Sequence, residues 1–361
     1  MATPFSIVSV DALATGAWIL GTGGGGSPYL AQLNLKRLYE EGKTCRIMQP
    51  EDLADGDLVA VVSKMGAPLV GQERLVDPAH VARAVQLMEE TIGARFTAIM
   101  SLEIGGGNAL TPFLAAALLD LPVVDADCMG RAYPEAQMTS FAIADLRMYP
   151  LTMVDCRENE AVVAKAASWV WMERISRKIC TEMGSTAATC KAPRTGAEVK
   201  EFGVLHTVTQ ATRLGQAVLE ARRQHDDPVA AVLKCENGKQ LFSGKVLDVE
   251  RETSGGFLRG QARIAGLGQD KGEELVLEFQ NEWIVAFSNG EPVAMTPDLI
   301  CMLDSDDGEA VGTETVRYGQ RVSIIALPAP ARLRSEKGLL NVGPQAFGYD
   351  FDFKSVFDPE N

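Results

Sequence analysis

Between residues 57 and 128 short apolar runs alternate with capped helical patterns, and this alternation restricts the fold more than any other feature of the chain. "DLVAVVSKMGAP" holds a β-branched run that ends in a Met-Gly-Ala-Pro turn. "DPAHVARAVQLMEETIG" follows, with Asp77 as cap, Pro78 in the first turn, Val81, Val85 and Met88 on one face, and Gly93 as stop. "RFTAIMSLEI" is the second run, "TPFLAAALLD" a second helix opened by Thr111 and Pro112, and "LPVVDADC" the third run. Strand–helix–strand–helix–strand predicts a parallel sheet with right-handed crossovers.

Upstream, "SVDALATGAWIL" reads as a helix with Ser9 at its start and Asp11 in its first turn. "PYLAQLNLKRLYEEG" reads as another, with Ser27 as cap and Gly42 as stop. Between them lies "GTGGGGSPY", in which Gly21, Gly23 and Gly26 spell Gly-x-Gly-x-x-Gly. A dinucleotide fingerprint needs a strand before those glycines. Here a helix precedes them, so the run is expected instead to form a backbone-lined wall opposite "EIGGGN".

Downstream, residues 157–184 and 206–224 read as helices separated by an irregular stretch containing Gly184, Pro193 and Gly196. From about residue 229 the apolar period changes to two, with Asn237-Gly238 and Asn289-Gly290 as tight turns. The aromatic tail "NVGPQAFGYDFDF" is expected to fold back onto the body. The expectation is an α/β N-terminal domain with a parallel or mixed sheet (1–165), then a helix-linked, β-rich, barrel- or sandwich-like domain (166–361).

Charge narrows the partners. With 34 Lys and Arg against 48 Asp and Glu the chain carries a formal charge of −14, and it has no basic stripe. Nucleic-acid binding is therefore not expected. The seven cysteines are scattered without a Cys-x-x-Cys pair, which fits reduced thiols and a cytoplasmic setting. No apolar run is long enough for a membrane span.

In an open parallel α/β sheet, ligands bind beyond the carboxyl ends of the strands. Those ends here are "SKMGAP", "EIGGGN" and "DADCMGRAYPE". In the last, Asp125, Asp127, Cys128, Arg131 and Glu135 gather reactive groups that suit metal ligation or acid–base work. Packing offers another account: one aspartate caps the next segment, the other pairs with Arg131, and Cys128 is a core residue. Glu103 is a candidate base or ligand, and Asn108 a candidate substrate partner. Gly105, Gly106 and Gly107 form either an anion-binding concavity or simply a tight turn. Gly23, Gly24, Gly25 and Gly26 are candidates for the opposite wall. Of the three histidines only His206, at a helix entry, is a candidate ligand.

"GTGGGGSPY", "MGAP", "EIGGGNAL", "PVVDADCMGRAYPE", "HTVTQATRLGQA" and "VGPQAFGYDFDF" together resemble one family, in order and along essentially the whole chain. It is the S-methyl thiohydantoin desulfurase family, once catalogued as a domain of unknown function and found beside hydantoinase/oxoprolinase-type genes. The resemblance implies hydrolytic desulfuration of a five-membered heterocyclic small molecule, with C–S replaced by C=O, and a zinc ion. Within the strand-end cluster, Asp127, Cys128 and His206 are assigned as its ligands. Glu103, Asp125 and Glu135 are assigned to catalysis, and the glycine loops, Asn108 and Arg131 to substrate binding. Two rival readings stand beside it. One is a non-catalytic, ligand-binding subunit of a hydantoinase/oxoprolinase-type system; the other is a metal-free Cys128 nucleophile. A homo-oligomer is compatible with all three.

Overall fold

The computed structural model describes residues 2–66, 70 and 77–359; Ala67 and Pro68 of the expected turn lie outside them. An eight-stranded mixed sheet runs in the order β1 (Thr3–Phe5), β2 (Cys45–Met48), β5 (Val123–Val124), β4 (Ala98–Ser101), β3 (Leu58–Gly66), β9 (Thr186–Thr195), β7 (Leu151–Val154), β8 (Glu160–Val163). Strands β2, β5, β4 and β3 are parallel, and the flanking strands pair antiparallel.

The crossover helices, Pro78–Ile92 and Thr111–Leu119, form where the apolar spacing puts them. Asp77 accepts the Ala79 N–H at 2.8 Å, and Gly93 closes the first helix at φ 68°. Thr111 opens the second without capping it; its hydroxyl donates back to the Gly107 carbonyl at 3.3 Å. Both flanks of the glycine run are helical, Ser9–Leu20 before it and Tyr29–Glu40 after it.

Three segments differ from expectation. Residues 160–163 are strand β8, hairpinned with β7, and the helix starts only at Trp169. Ser168 caps it, accepting the Trp171 N–H at 3.3 Å. The β-branched pair Val162-Val163 suits a pleated surface better than a helix. The stretch expected to be irregular is β9, which pairs with β3 inside the sheet. Pro193 sits where the pairing slips between Val59 and Val61, so its missing N–H falls at a bulge. Finally, Pro228–Glu236 is a helix capped by Asp227, and Asn237 closes it at φ 52°.

The β-rich part is one seven-stranded antiparallel sheet curled into a half-barrel. Its order is β15 (Glu291–Met295), β14 (Glu282–Ser288), β13 (Glu274–Gln280), β12 (Phe257–Gly266), β11 (Lys239–Ser254), β17 (Arg321–Leu327), β16 (Leu299–Asp304). Phe242, Ile264, Leu277, Trp283 and Ile324 belong to one buried core cluster. Asn289 and Gly290, both at positive φ, make the β14–β15 turn. The aromatic tail does fold back: Tyr349, Phe351 and Phe353 cover Ile284, Val285 and Met295.

The two sheets are joined by close packing. A Cβ at Gly16 would lie 1.8 Å from the Ala211 carbonyl oxygen, and one at Gly215 1.8 Å from that of Ala12. Helices Ser9–Leu20 and Thr207–Gln224 therefore touch backbone to backbone. Among the described residues no helix is long and apolar enough to cross a membrane.

Candidate functional site

A cavity of about 430 Å³ opens beyond the carboxyl ends of β3 and β4. Its walls come from both parts of the chain: the β3 end, the glycine loops and Glu103 on one side, β9 and helix Trp169–Glu182 behind, and Glu282 and Glu314 from the β-rich side. The sheet brings the strand ends together because parallel crossovers aim all of them at the same edge.

Glu103 is held by two donors inside the cavity. Its Oε1 accepts Asn108 Nδ2–H at 2.5 Å and its Oε2 the Tyr133 N–H at 3.2 Å. Asn108 is held in turn, because its Oδ1 accepts the Lys64 N–H at 2.7 Å and its Nδ2 also donates to the Lys64 carbonyl at 3.3 Å. Burial pushes Glu103 up to about 7, against the pull of these hydrogen bonds and of Lys191, with Asp127 adding to the rise. Such a group exchanges a proton near neutrality.

Two lysines line the same cavity, Lys64 at the end of β3 and Lys191 on β9. Burial lowers both ammonium groups from their ordinary value, while Glu173 and Glu103 pull Lys191 back up. Neither ammonium makes a hydrogen bond or an ion pair among the described residues. Glu173 is occupied elsewhere, accepting the Ala136 N–H at 3.0 Å and Arg177 Nε–H at 2.5 Å. Burial also raises Glu314, to about 7, and holds Glu282 well above its ordinary value.

The residues expected to form the site fall into separate places. Glu103, Asn108, Gly25, Gly26, Gly107 and Glu135 line the cavity. Gly105 and Gly106 do not; they back onto the other glycine loop, and the Gly107 N–H donates to the Gly26 carbonyl at 2.8 Å. Gly23 and Gly24 pack against Trp283 and Glu282. Asp125 is fully buried and caps helix Thr207–Gln224, accepting the N–H groups of Val208 at 2.8 Å and Thr209 at 3.0 Å. Arg131 is fully buried too and donates to Thr22, Trp283, Pro297 and Asp298, stapling the glycine loop to the β-rich sheet.

The residues assigned to zinc do not meet. Asp127 accepts the N–H groups of Ile104, Met129 and Gly130 at 2.8–3.1 Å, so its carboxylate is filled by backbone donors. Burial nevertheless carries it up to about 7. Cys128 is packed among Val59, Val61, Met100 and Phe141, with burial holding its thiol well above the ordinary value. His206 is half-exposed outside the cavity, with Nε2 3.1 Å from Glu51. Among the described residues no three His, Cys, Asp or Glu side chains are grouped to hold a metal ion. This donor set does not fit a shared tetrahedral zinc site.

Sequence reasoning missed Lys64, Lys191, Glu282 and Glu314. A charged residue inside an otherwise apolar strand was the available signal, as in "VAVVSKM" and "QNEWIVAF".

Fold and site together define a two-part protein, an α/β layer and a curled antiparallel sheet enclosing at their junction a cavity that holds charged side chains among apolar ones. Sequence comparison adds the family: the S-Me-THD-like N-terminal domain matches residues 8–165 and the S-Me-THD-like C-terminal domain residues 167–356. The chain belongs to the S-methyl thiohydantoin desulfurase-like family. It is similar in fold to a crystal structure of a protein from Chromobacterium violaceum, with TM-score 0.82 and 23% identity over 98% of this chain and 100% of the other. No curated protein matches the sequence.

Proposed function

We propose that the chain hydrolyses the exocyclic C–S bond of a five-membered thiohydantoin-type ring held in the junction cavity. The family supports the reaction class. The observation that carries the reading is one cavity holding Glu103, poised near neutrality, beside two lysine ammonium groups that have no hydrogen-bonded partner among the described residues. Because the donors assigned to zinc lie apart, the reaction is drawn through the chain's own side chains.

Glu103 as carboxylate takes a proton from water as the water oxygen forms a bond to the ring carbon bearing sulfur. The π pair of that carbon moves onto the ring nitrogen, and Glu103 passes its proton there. Lys64 and Lys191 stabilise the negative charge that develops on the ring and its carbonyl, an interaction strengthened by their water-poor setting. The C–S bond then breaks, the thiol departs, and C=O replaces C–S.

The test is thiol release from a 2-methylthio-imidazolone ring by the purified chain, with and without chelator. Glu103→Gln should lower kcat/KM by about 10²–10⁴-fold while leaving the fold intact. Ring binding without turnover by the wild-type chain would instead support the ligand-binding subunit.

A further inference from the structure

The cavity contains a carboxyl that the reaction above leaves unused, and it comes from the β-rich half. Glu282 opens β14, is 2% exposed, and lines the cavity together with Glu103. Its Oε2 is buried and has no hydrogen-bond partner among the described residues. A buried carboxyl oxygen left unpaired costs free energy unless a ligand completes it.

The loop that meets Glu282 is built to hold it in place. A Cβ at Gly24 would lie 2.0 Å from Glu282 Oε1 and 2.5 Å from its Cδ, so only glycine leaves the carboxyl its space. On either side the two segments are stitched together. Trp283 N–H donates to the Thr22 carbonyl at 2.8 Å, and Thr313 N–H donates to that of Gly23 at 2.8 Å. These bonds fix the Glu282 backbone against the glycine loop at the rim of the cavity.

We infer that Glu282 is the general acid of the site, handing its proton to the departing sulfur, and that the "GTGGGG" run exists to seat it. The assignment rests on the C–S hydrolysis proposed above. As the C–S bond breaks, its electron pair leaves on sulfur and the Glu282 proton joins it, giving the free thiol. The second water proton, released as C–OH becomes C=O, restores Glu282. The groups that face it agree with this role: burial and the Glu103 carboxyl favour its protonated form and outweigh the Arg131 guanidinium and the backbone N–H groups of Glu282 and Gly25, which oppose it. Glu103 is held by two hydrogen-bond donors that favour its carboxylate, while Glu282 Oε2 has none among the described residues, so the two divide into base and acid respectively.

The experiment compares two leaving groups, methylthio and an electron-poor arylthio, on the same ring, using the full chain and Glu282→Gln. The arylthiolate departs without a proton; the methylthiolate does not. Glu282→Gln should lose about 10²–10³-fold in kcat on the methylthio ring and keep the wild-type rate on the arylthio ring. Equal losses on both rings, or none on either, overturn the assignment. A wild-type chain inactive on both removes the hydrolysis itself, and the acid role with it. Difference infrared spectra give a readout independent of turnover. Glu103, Asp127 and Glu314, each raised to about 7, also absorb as protonated carboxyls near neutrality, so Glu282→Gln should remove one component of that band, and persistence of the full band intensity in that variant overturns the assignment too.

Discussion

Asn108 joins Glu103 to Lys64: its Nδ2–H donates to the Glu103 carboxyl at 2.5 Å while its Oδ1 accepts the Lys64 backbone N–H at 2.7 Å. One amide thereby sets the spacing between the ends of β3 and β4 and tunes the carboxyl proposed as base.

The Asn108 bond pulls Glu103 down against burial. Asn108→Ala removes that pull, so Glu103 rises above about 7. The acidic limb of the kcat/KM profile should move up by about one pH unit. A profile that stays in place would falsify Glu103 as the base.

Lys191→Met should raise stability and lower activity together. Burial lowers the folded-state pKa of Lys191, so the unfolded chain binds this proton more tightly. The lysine therefore costs stability at neutral pH, and the cost fades as pH climbs toward the ordinary lysine value. Calorimetry should show this group's contribution to wild-type Tm increasing from neutral to alkaline pH, and the variant lacking that increase. Its kcat should fall by about 10²–10³-fold through lost charge stabilisation.

Arg131→Met strips four carbonyl and hydroxyl groups of their donor at the junction of the two sheets. The loss should exceed about 3 kcal/mol, read as a fall in the urea midpoint. A variant as stable as wild type would show that Arg131 is no staple.

Asp127→Asn puts an amide N–H₂ among backbone N–H donors that need an acceptor. Stability should drop by about 1–3 kcal/mol. Metal content measured alongside separates the two roles: lost metal at unchanged stability would return Asp127 to ligand duty.

Local chemistry made much of this legible. Asp77, Pro78 and Gly93 bracket their helix, the Asn289-Gly290 pair turns its hairpin, and period two marks the β-rich sheet. That Glu103 and Asn108 would line a cavity was readable because parallel crossovers force strand ends to one edge. Other segments were ambiguous: "NEAVVAK" satisfies helical spacing as well as strand alternation, and β9 looked irregular because Pro193 hides at a bulge.

The opening glycines show where sequence stops. Helical flanks on both sides were enough to dismiss a nucleotide loop, since that depends on neighbouring residues alone. What the glycines do instead depends on partners far along the chain. Gly107 bonds to Gly26 across the α/β layer, and Gly24 meets Glu282, a contact made only once the β-rich sheet docks on the first. The tertiary fold brings Lys191 and Glu282 into one cavity, and burial, which no sequence window measures, is what shifts their protons.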